Sequence, residues 1–201
     1  MSEIVPALIY SKVYFNVLLV ILVLILIHSL TLEQTARRNI AAITFLGYVL
    51  LATVLLFIGT RPNDPVFTDM PLYSAVFKSY QDGNPLEITE DIGFLMLNEF
   101  CSKFMNIEGY YFTVACIYVL PLFFATKRWF GEQWPYGFAM ITFSISFFAY
   151  GTNTIRNGMA TSIFMLAISF FDKKWAMVLL LILSTYFRKS MLLPIASFIA
   201  A

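Results

Sequence analysis

The sequence has few charged residues, one histidine and two cysteines, and each shortage narrows the class of protein. Of its 201 residues, 12% are charged and 60% are hydrophobic, which is typical of membrane proteins rather than soluble domains. No convincing Ser/His or Cys/His catalytic pair forms around His28, which we interpret as an interfacial residue. Cys101 and Cys116 lie in apolar or amphipathic segments and predict free, buried thiols without a disulfide framework or metal-site spacing. The net charge of +1 gives no indication of a nucleic-acid partner, and we expect none.

Long apolar runs are what the sequence has in abundance. Six of them cover residues 13–32, 39–59, 110–126, 134–150, 155–171 and 175–187, and a seventh begins at 191. About 20 apolar residues cross the hydrocarbon core of a bilayer, and the first run is too long for a signal peptide. The sequence therefore predicts an all-α polytopic membrane protein with about six to seven transmembrane helices, organised as one membrane domain over residues 1–201. Because the seventh run is too short to cross, we interpret the chain as an N-terminal part of a larger protein.

Basic pairs in alternate loops predict the orientation of the chain. These pairs are Arg37-Arg38, Lys127-Arg128 and Lys173-Lys174. Lysine and arginine favour the cytoplasmic side of a membrane, so we expect these loops in the cytoplasm. The N-terminus, residues 60–109, Arg156 and the pair Arg188-Lys189 then lie outside. Basic residues on the outer side are exceptions to this bias, which indicates either ordinary scatter or a function on that face.

The long polar connection at residues 60–109 predicts an extracytoplasmic segment with interfacial helices. Asp69 is a candidate N-cap with Pro71 in the first turn of a helix. Tyr73, Phe77 and Tyr80 then fall on one helix face at i, i+4 and i+7. This aromatic face predicts contact with the membrane or a groove, or else a small core beneath the loop.

A second short amphipathic helix is predicted from Phe94 to Met105. Its apolar stripe contains Phe94, Leu97, Cys101 and Phe104. Because the segment is short and carries charge, an interfacial or re-entrant helix is favoured over a span. Glu90 and Asp91 precede it, where the helix dipole favours carboxylates, so both are candidates for capping.

Arg156 lies between two apolar runs of the sequence. A lone arginine at membrane depth costs roughly 2.5–3.5 kcal/mol on insertion scales. A position with such a cost usually has an anionic partner. The sequence therefore predicts an anion at this place, either a bound ligand or a carboxylate of the outer segment such as Glu90 or Asp91.

Several short motifs in a fixed order carry a resemblance to a known family. They are Gly59-Thr60-Arg61, Asp69 with Tyr73, Gly93-Phe94, Arg156-Asn157-Gly158-Met159-Ala160, and Arg188-Lys189-Ser190. Their order, spacing and shared outer location resemble the EpsG-type membrane proteins, which are similar to Wzy-type polysaccharide polymerases. The resemblance covers essentially the whole chain, which corresponds to about the N-terminal half of such a protein.

Two positions depart from the family's pattern. Asn157 stands where the family usually has glutamine, which is a mild change. Arg188 stands where the family usually has histidine. A histidine there could act as a general base, whereas an arginine does not deprotonate near neutral pH. Arg188 therefore indicates either donation by a cation or an altered function at that position.

The resemblance implies a metal-independent membrane glycosyltransferase that needs no cofactor. Its substrates would be polyprenyl-pyrophosphate-linked glycan repeat units, polymerised at the outer face of the bacterial cytoplasmic membrane during exopolysaccharide, capsule or O-antigen synthesis. A chain-length regulator or a flippase are further expected partners. The alternatives are a lipid-linked oligosaccharide flippase, in which Arg156 and Gly158 mark a broken helix along a path, and a ligase or acyltransferase.

The implied chemistry divides the candidate residues into two groups. A sugar hydroxyl needs a carboxylate to polarise or deprotonate it, and the candidates are Asp69, Glu90 and Asp91. A pyrophosphate needs cations and donors, since arginine binds phosphate bidentately. The candidates for binding pyrophosphate or glycan are Arg61, Tyr73, Asn153, Arg156, Asn157, Arg188 and Lys189, with Gly158 allowing close approach. We see no metal-ligand spacing and expect arginine in place of a metal ion.

Overall fold

The computed structural model describes residues 5–31, 36–85 and 91–200, and within these ranges its regular secondary structure is entirely helical. The helices are α1 Ala7–Thr31, α2 Arg37–Gly59, α3 Met70–Gln81, α4 Ile92–Ser102, α5 Ile107–Phe130, α6 Trp134–Thr142, α7 Ile145–Thr152, α8 Ile155–Ser169, α9 Lys174–Phe187 and α10 Leu192–Ala200. Single turns of 3-10 helix precede α6 and α10. The predicted all-α class is confirmed for the described residues.

Three stretches of the described residues are long enough and apolar enough to cross a membrane. They are Ala7–Thr31, Arg37–Gly59 and Ile107–Thr142. The third stretch contains both α5 and α6 and reverses between them at Gly131, whose φ is 54°. Past this turn α6 packs back against α5, with the ring centroids of Phe123 and Trp134 5.0 Å apart.

The predicted count of six to seven spans is not confirmed. The predicted run 134–150 is divided into α6 and α7, because the helix stops before Ser144, whose Oγ accepts a hydrogen bond from the Phe147 N–H at 3.3 Å and caps α7. Helices α8 and α9 have 15 and 14 residues, which gives lengths of about 22 and 21 Å. Both are shorter than the ~30 Å hydrocarbon core of a typical bilayer.

The centre of the bundle is helix α8, which packs between α5 and α9, while α2 packs against α5 and α6. His28 joins α1 to α2 and α6 and is buried. Its Nε2 lies 2.9 Å from the Asn39 carbonyl and its Nδ1 lies 2.8 Å from the Tyr136 hydroxyl. A carbonyl only accepts hydrogen bonds, so Nε2 donates to the Asn39 carbonyl. His28 is therefore a satisfied structural residue.

The polar connection at residues 60–109 contains two short helices, α3 and α4, as predicted. Asp69 is the N-cap residue of α3, with Pro71 in the first turn, but its side chain makes no capping hydrogen bond. The aromatic face of α3 belongs to the core, where Phe77 stacks on Tyr110 with centroids 4.6 Å apart. Of the two alternatives for that face, the structure has the small core and not the membrane contact, because Tyr73 and Phe77 are both buried.

Helix α4 differs from its predicted amphipathic pattern. Phe94 and Cys101 are buried as expected, but Phe104 lies beyond the end of the helix and is exposed. The opposite face of α4 is also largely apolar, with exposed Ile92, Met96 and Phe100. Cys101 and Cys116 are free thiols, and Cys116 is only partly buried.

Candidate functional site

Three helix ends that are far apart in the sequence meet at one place and bring three charged residues together. Asp91 immediately precedes α4, Arg156 is the second residue of α8, and Arg188 immediately follows α9. Helix α9 packs against both α4 and α8, and these contacts align the three ends. We call Asp91, Arg156 and Arg188 the arginine–aspartate cluster.

The cluster is built around one carboxylate oxygen. Oδ2 of Asp91 accepts a hydrogen bond from Nη1 of Arg156 at 2.9 Å and another from Nη1 of Arg188 at 2.8 Å. The other oxygen, Oδ1, accepts the backbone N–H of Lys189 at 3.4 Å. The Asp91 side chain is 2% exposed, whereas those of Arg156 and Arg188 are 25% and 30% exposed. The carboxylate is thus the buried centre, and the two guanidinium groups form its accessible rim.

The cluster carries a net positive charge. One carboxylate stands against two guanidinium groups, and each guanidinium has five N–H donors. The ion pairs with Asp91 use one nitrogen of Arg156 and one of Arg188. The remaining donors and the uncompensated charge can bind an anion, and arginine binds the oxygens of phosphate in a two-pronged geometry.

The backbone at Asp91 is in an unusual conformation. Its φ is 59°, and it is the one non-glycine residue with positive φ in the ranges described. Aspartate tolerates this left-handed region better than most residues, and strained backbone of this kind is concentrated at functional sites. As with Asp69, the Asp91 side chain does not cap its helix. The capping interpretation of Asp91 is therefore wrong, because the carboxylate turns to the arginines instead.

Gly93 brings α4 close enough to α9 for the ion pair to form. A Cβ atom at Gly93 would lie 3.0 Å from the backbone carbon and oxygen of Tyr186, which is closer than almost all real contacts of a Cβ atom. Tyr186 lies two residues before Arg188. The absence of a side chain at Gly93 therefore sets the distance between Asp91 and Arg188.

A similar close approach positions Arg156. A Cβ atom at Gly158 would lie 2.6 Å from the backbone oxygen of Tyr150, so the start of α8 packs directly on α7. We had expected Gly158 to leave room for a ligand. Its space is taken instead by the backbone of Tyr150, and its effect on the site is to fix the turn that carries Arg156.

Two aromatic rings flank the Arg156 guanidinium. Its Cζ lies 5.8 Å from the centroid of Tyr73 and 5.7 Å from that of Phe94, within the range of cation–π interaction. Burial raises the pKa of Tyr73, and a hydrogen bond with Arg156 and the positive charge of that residue partly oppose this rise. The Tyr73 hydroxyl is therefore protonated at neutral pH and remains a donor beside the cluster.

The other predicted site residues lie at different distances from the cluster. Asp69 is half-buried, belongs to no ion pair among the described residues, and is near enough to influence the pKa of Tyr73. Asn153 follows α7, and its Oδ1 is buried without a described partner, as is Oγ1 of Thr154. Asn157 is only partly buried in the first turn of α8. Glu90 lies outside the described residues.

Arg61 is placed differently from what a substrate-binding role would suggest. Its side chain is buried, with a residue exposure of 4%. Nη1 donates to the Ile58 carbonyl, Nε lies 3.3 Å from Sδ of Met70, and the guanidinium lies over the Tyr111 ring at 4.8 Å. Nη2 has no partner in the described part of the chain. Burial lowers the pKa of Arg61 to about 10, so it remains a cation at neutral pH.

The geometry of the site therefore combines a buried carboxylate with a cationic rim. The family model of the EpsG family matches residues 44–200. The chain belongs to the EpsG family. Neither a curated protein nor a solved structure matches it significantly. Together with its apolar helices, membership of the EpsG family makes the chain a membrane protein of polysaccharide biosynthesis.

The region matched to the EpsG family contains every residue of the cluster. It also contains Asp69, Tyr73 and the close contact at Gly93. Among the described residues, no group of three or more His, Cys, Asp or Glu side chains is placed to hold a metal ion.

Several features of the site were missed from the sequence. The flanking position of Phe94 and the burial of Arg61 carried no clear signal, because a hydrophobic residue after glycine and an arginine after a span are both common. The pairing of Asp91 with Arg188 was also missed, although pairing of Arg156 with Glu90 or Asp91 was one alternative. The available signal was that Arg188 is a basic residue on the predicted outer side, where lysine and arginine are disfavoured and a carboxylate partner is therefore expected.

Proposed function

We propose that the protein polymerises polyprenyl-pyrophosphate-linked glycan repeat units at the outer face of the cytoplasmic membrane. The observation that carries the proposal is the arginine–aspartate cluster, in which two guanidinium groups share one carboxylate and keep donors free. A pyrophosphate leaving group must be bound and its negative charge neutralised, and arginine does both. Membership of the EpsG family supports polysaccharide biosynthesis as the setting.

In the proposed reaction, Arg156 and Arg188 hold the pyrophosphate of the donor. The bond between the anomeric carbon of the growing glycan and the pyrophosphate oxygen breaks, and the electron pair leaves with the pyrophosphate. A hydroxyl of the acceptor repeat unit forms the new bond to that carbon and loses its proton to a carboxylate. The products are a glycan longer by one repeat unit and a polyprenyl pyrophosphate. The chain's own contribution is to bind charge and to receive the proton.

Of the candidate carboxylates, we propose that Asp69 accepts the proton of the acceptor hydroxyl. Asp91 already accepts hydrogen bonds from two arginines and one backbone N–H, so its oxygens are occupied and its role is to position the arginines. Asp69 is half-buried and is neither ion-paired nor engaged in capping in the described structure. Its proximity to Tyr73 connects it to the cluster.

The sidedness of the site is part of the proposal. Helix α8 runs from Arg156 to Ser169, and α9 returns from Lys174 to Phe187 beside Arg188. The Lys173-Lys174 pair is therefore at the opposite end of both helices from the cluster. Because basic pairs favour the cytoplasm, this arrangement supports an extracytoplasmic cluster.

The test is to replace Arg156 and measure polymer and protein together. Arg156→Ala should abolish long polymer, with single repeat units accumulating, while protein abundance stays near that of the wild type because Arg188 still pairs with Asp91. Arg156→Lys keeps the charge but loses the planar fork, so it should be partly or wholly defective. Long polymer from stable Arg156→Ala protein would refute the proposal, and a large loss of abundance would indicate a structural ion pair instead.

Arg128 provides a matched control. It also pairs with an aspartate, since its Nη2 lies 2.5 Å from Oδ1 of Asp172, but it lies at the other end of α8. Arg128→Ala should leave polymer length unchanged. If both variants lose polymer equally, the effect of Arg156→Ala is a general effect of losing an arginine and does not support a binding site.

A further inference from the structure

Two exposed apolar helix faces begin at the arginine–aspartate cluster. On α4, Ile92, Met96 and Phe100 are exposed and are spaced four residues apart, so they follow one another along the helix. The first of them adjoins Asp91 in the chain. The α4 face therefore starts at the buried carboxylate of the cluster and leads away from it.

Helix α9 presents a second apolar face that ends at the same place. Leu179, Leu183 and Tyr186 are exposed at i, i+4 and i+7, and the last of them lies two residues before Arg188. The two helices touch where Gly93 meets the Tyr186 backbone. Each of the two exposed apolar faces therefore has one end at the net positive cluster.

We propose that these two faces hold the isoprenoid tail of the lipid-linked substrate whose pyrophosphate binds at the cluster. This inference rests on the proposed function and specifies how its substrate is recognised. A ligand that fits both parts has a strongly anionic head joined to a long apolar chain. Eight residue steps separate Ile92 from Phe100, so the α4 face extends for about 12 Å from the cluster and matches a short run of isoprene units.

Charge complementarity and continuity favour this occupant over another protein. The free donors of Arg156 and Arg188 lie at the convergence of the two faces, so an occupant of the faces reaches the cluster with its end. A membrane-embedded amphiphile enters in that orientation, head at the cluster and tail along the helices. The competing outcome is that bulk membrane lipid covers the same faces. Binding of bulk lipid would not depend on the charges of the cluster.

The experiment compares a head group alone with the same head group carrying a tail. Full-length protein in one detergent is titrated with inorganic pyrophosphate and with farnesyl pyrophosphate, a soluble isoprenoid pyrophosphate. The wild type should bind farnesyl pyrophosphate more tightly than pyrophosphate. Phe100→Ala and Leu183→Ala should each reduce the affinity for farnesyl pyrophosphate roughly three- to tenfold, since each removes part of an apolar contact, and should leave the affinity for pyrophosphate unchanged.

Phe45→Ala is the matched control, because Phe45 on α2 is 68% exposed and Phe100 is 61% exposed. It should not alter either affinity. If Phe100→Ala fails to accumulate, Met96→Ala and Leu183→Ala test the two faces separately. An unchanged preference for farnesyl pyrophosphate in the face variants would overturn the inference, because the tail would then lie elsewhere or in detergent.

The two proposals fail in different ways. If the wild type binds pyrophosphate and loses it in Arg156→Ala, but the face variants behave like the wild type, the tail site is wrong and the anion site stands. If the wild type binds neither compound, the anion site itself is refuted. A face variant that weakens pyrophosphate and farnesyl pyrophosphate equally also contradicts the inference, because it then disturbs the cluster and not the tail.

Discussion

Nη1 of Arg188 lies 2.8 Å from Oδ2 of Asp91, although 97 positions separate the two residues in the chain. This contact connects the end of α9 to the start of α4 across the site. Arg188 also occupies the position where the family pattern usually has histidine. Its pairing with a buried carboxylate favours donation by a permanent cation over an acid–base role.

Replacing Arg188 by histidine should make polymer synthesis depend on pH. A histidine beside Asp91 is favoured in its charged form, so its pKa should lie above the ordinary value of about 6.5. Below that pKa the imidazolium can replace the guanidinium as a cation, and above it the charge is lost. Arg188→His activity in membrane vesicles should therefore fall as pH rises, whereas wild-type activity should not fall over the same interval. Equal pH profiles would argue against a cationic role.

Asp69→Asn should separate catalysis from folding. Asparagine is as good an N-cap residue as aspartate, and Asp69 makes no side-chain capping bond in any case. The stability of the variant should therefore lie within about 0.5 kcal/mol of the wild type. Polymer length should nevertheless collapse, because the amide cannot accept the acceptor's proton. Normal polymer length from this variant would show that Asp69 does not accept the proton and has only a structural role.

Gly93→Ala should weaken the cluster without touching a charged residue. The added Cβ would lie 3.0 Å from the backbone of Tyr186, which cannot rotate away, so α4 must move away from α9. Overpacking of this kind costs about 1–3 kcal/mol, and the separation of Asp91 from Arg188 should reduce polymer. Thermal unfolding in detergent and polymer length measure the two effects.

Gly109→Ala is the control for that variant. Its Cβ would meet the side-chain oxygen of Asn106 at 3.1 Å, and a side chain can shift more readily than backbone. Polymer length should stay normal in Gly109→Ala. Loss of polymer in both variants would mean that any bulk added to the outer segment is harmful, and the distance argument at Gly93 would fail.

Arg61→Met should be tolerated by the fold. The Arg61 guanidinium is buried, has no carboxylate partner among the described residues, and leaves Nη2 without a hydrogen bond. Replacing such a charge by an apolar side chain of similar length should leave stability unchanged or raise it by about 1 kcal/mol. Arg61→Ala should instead lower stability by about 2–4 kcal/mol, since packing is lost. Loss of polymer in stable Arg61→Met protein would keep Arg61 as a binding candidate, whereas marked instability would contradict the argument.

A cysteine at Asp82 should report which side of the membrane carries the outer segment. Asp82 is exposed at the end of α3, and the background protein would lack Cys101 and Cys116. In intact cells an impermeant thiol reagent should label Asp82→Cys, while a cysteine at Lys173 should react only after the membrane is opened. The reverse labelling pattern would invert the orientation proposed for the cluster.

The sequence by itself determined the helical class, the membrane setting and the family. The helical class and the membrane setting follow from the composition of single apolar runs. A stretch such as 39–59 is apolar over its whole length, and this does not depend on contacts with other segments. The start of α3 was also local, since Asp69 and Pro71 mark it. The number of spans could not be read from apolar composition, because the break of 134–150 at Ser144 depends on a capping preference that this composition hides.

Only the tertiary structure decided which charges meet. The sequence left three uses open for Asp91, as a cap for α4, as a partner for Arg156 or as a catalytic carboxylate, and local energies do not choose between them. The packing of α4 on α9 at Gly93 made the choice, since it places Asp91 next to Arg188 while α8 supplies Arg156. Tertiary packing also removed a predicted site residue. The motif around Arg61 suggested a substrate contact, but the packing of α3 against α5 buries Arg61 beside Tyr111. Contacts between distant segments are set by the shape of the whole bundle, which no short stretch of sequence contains.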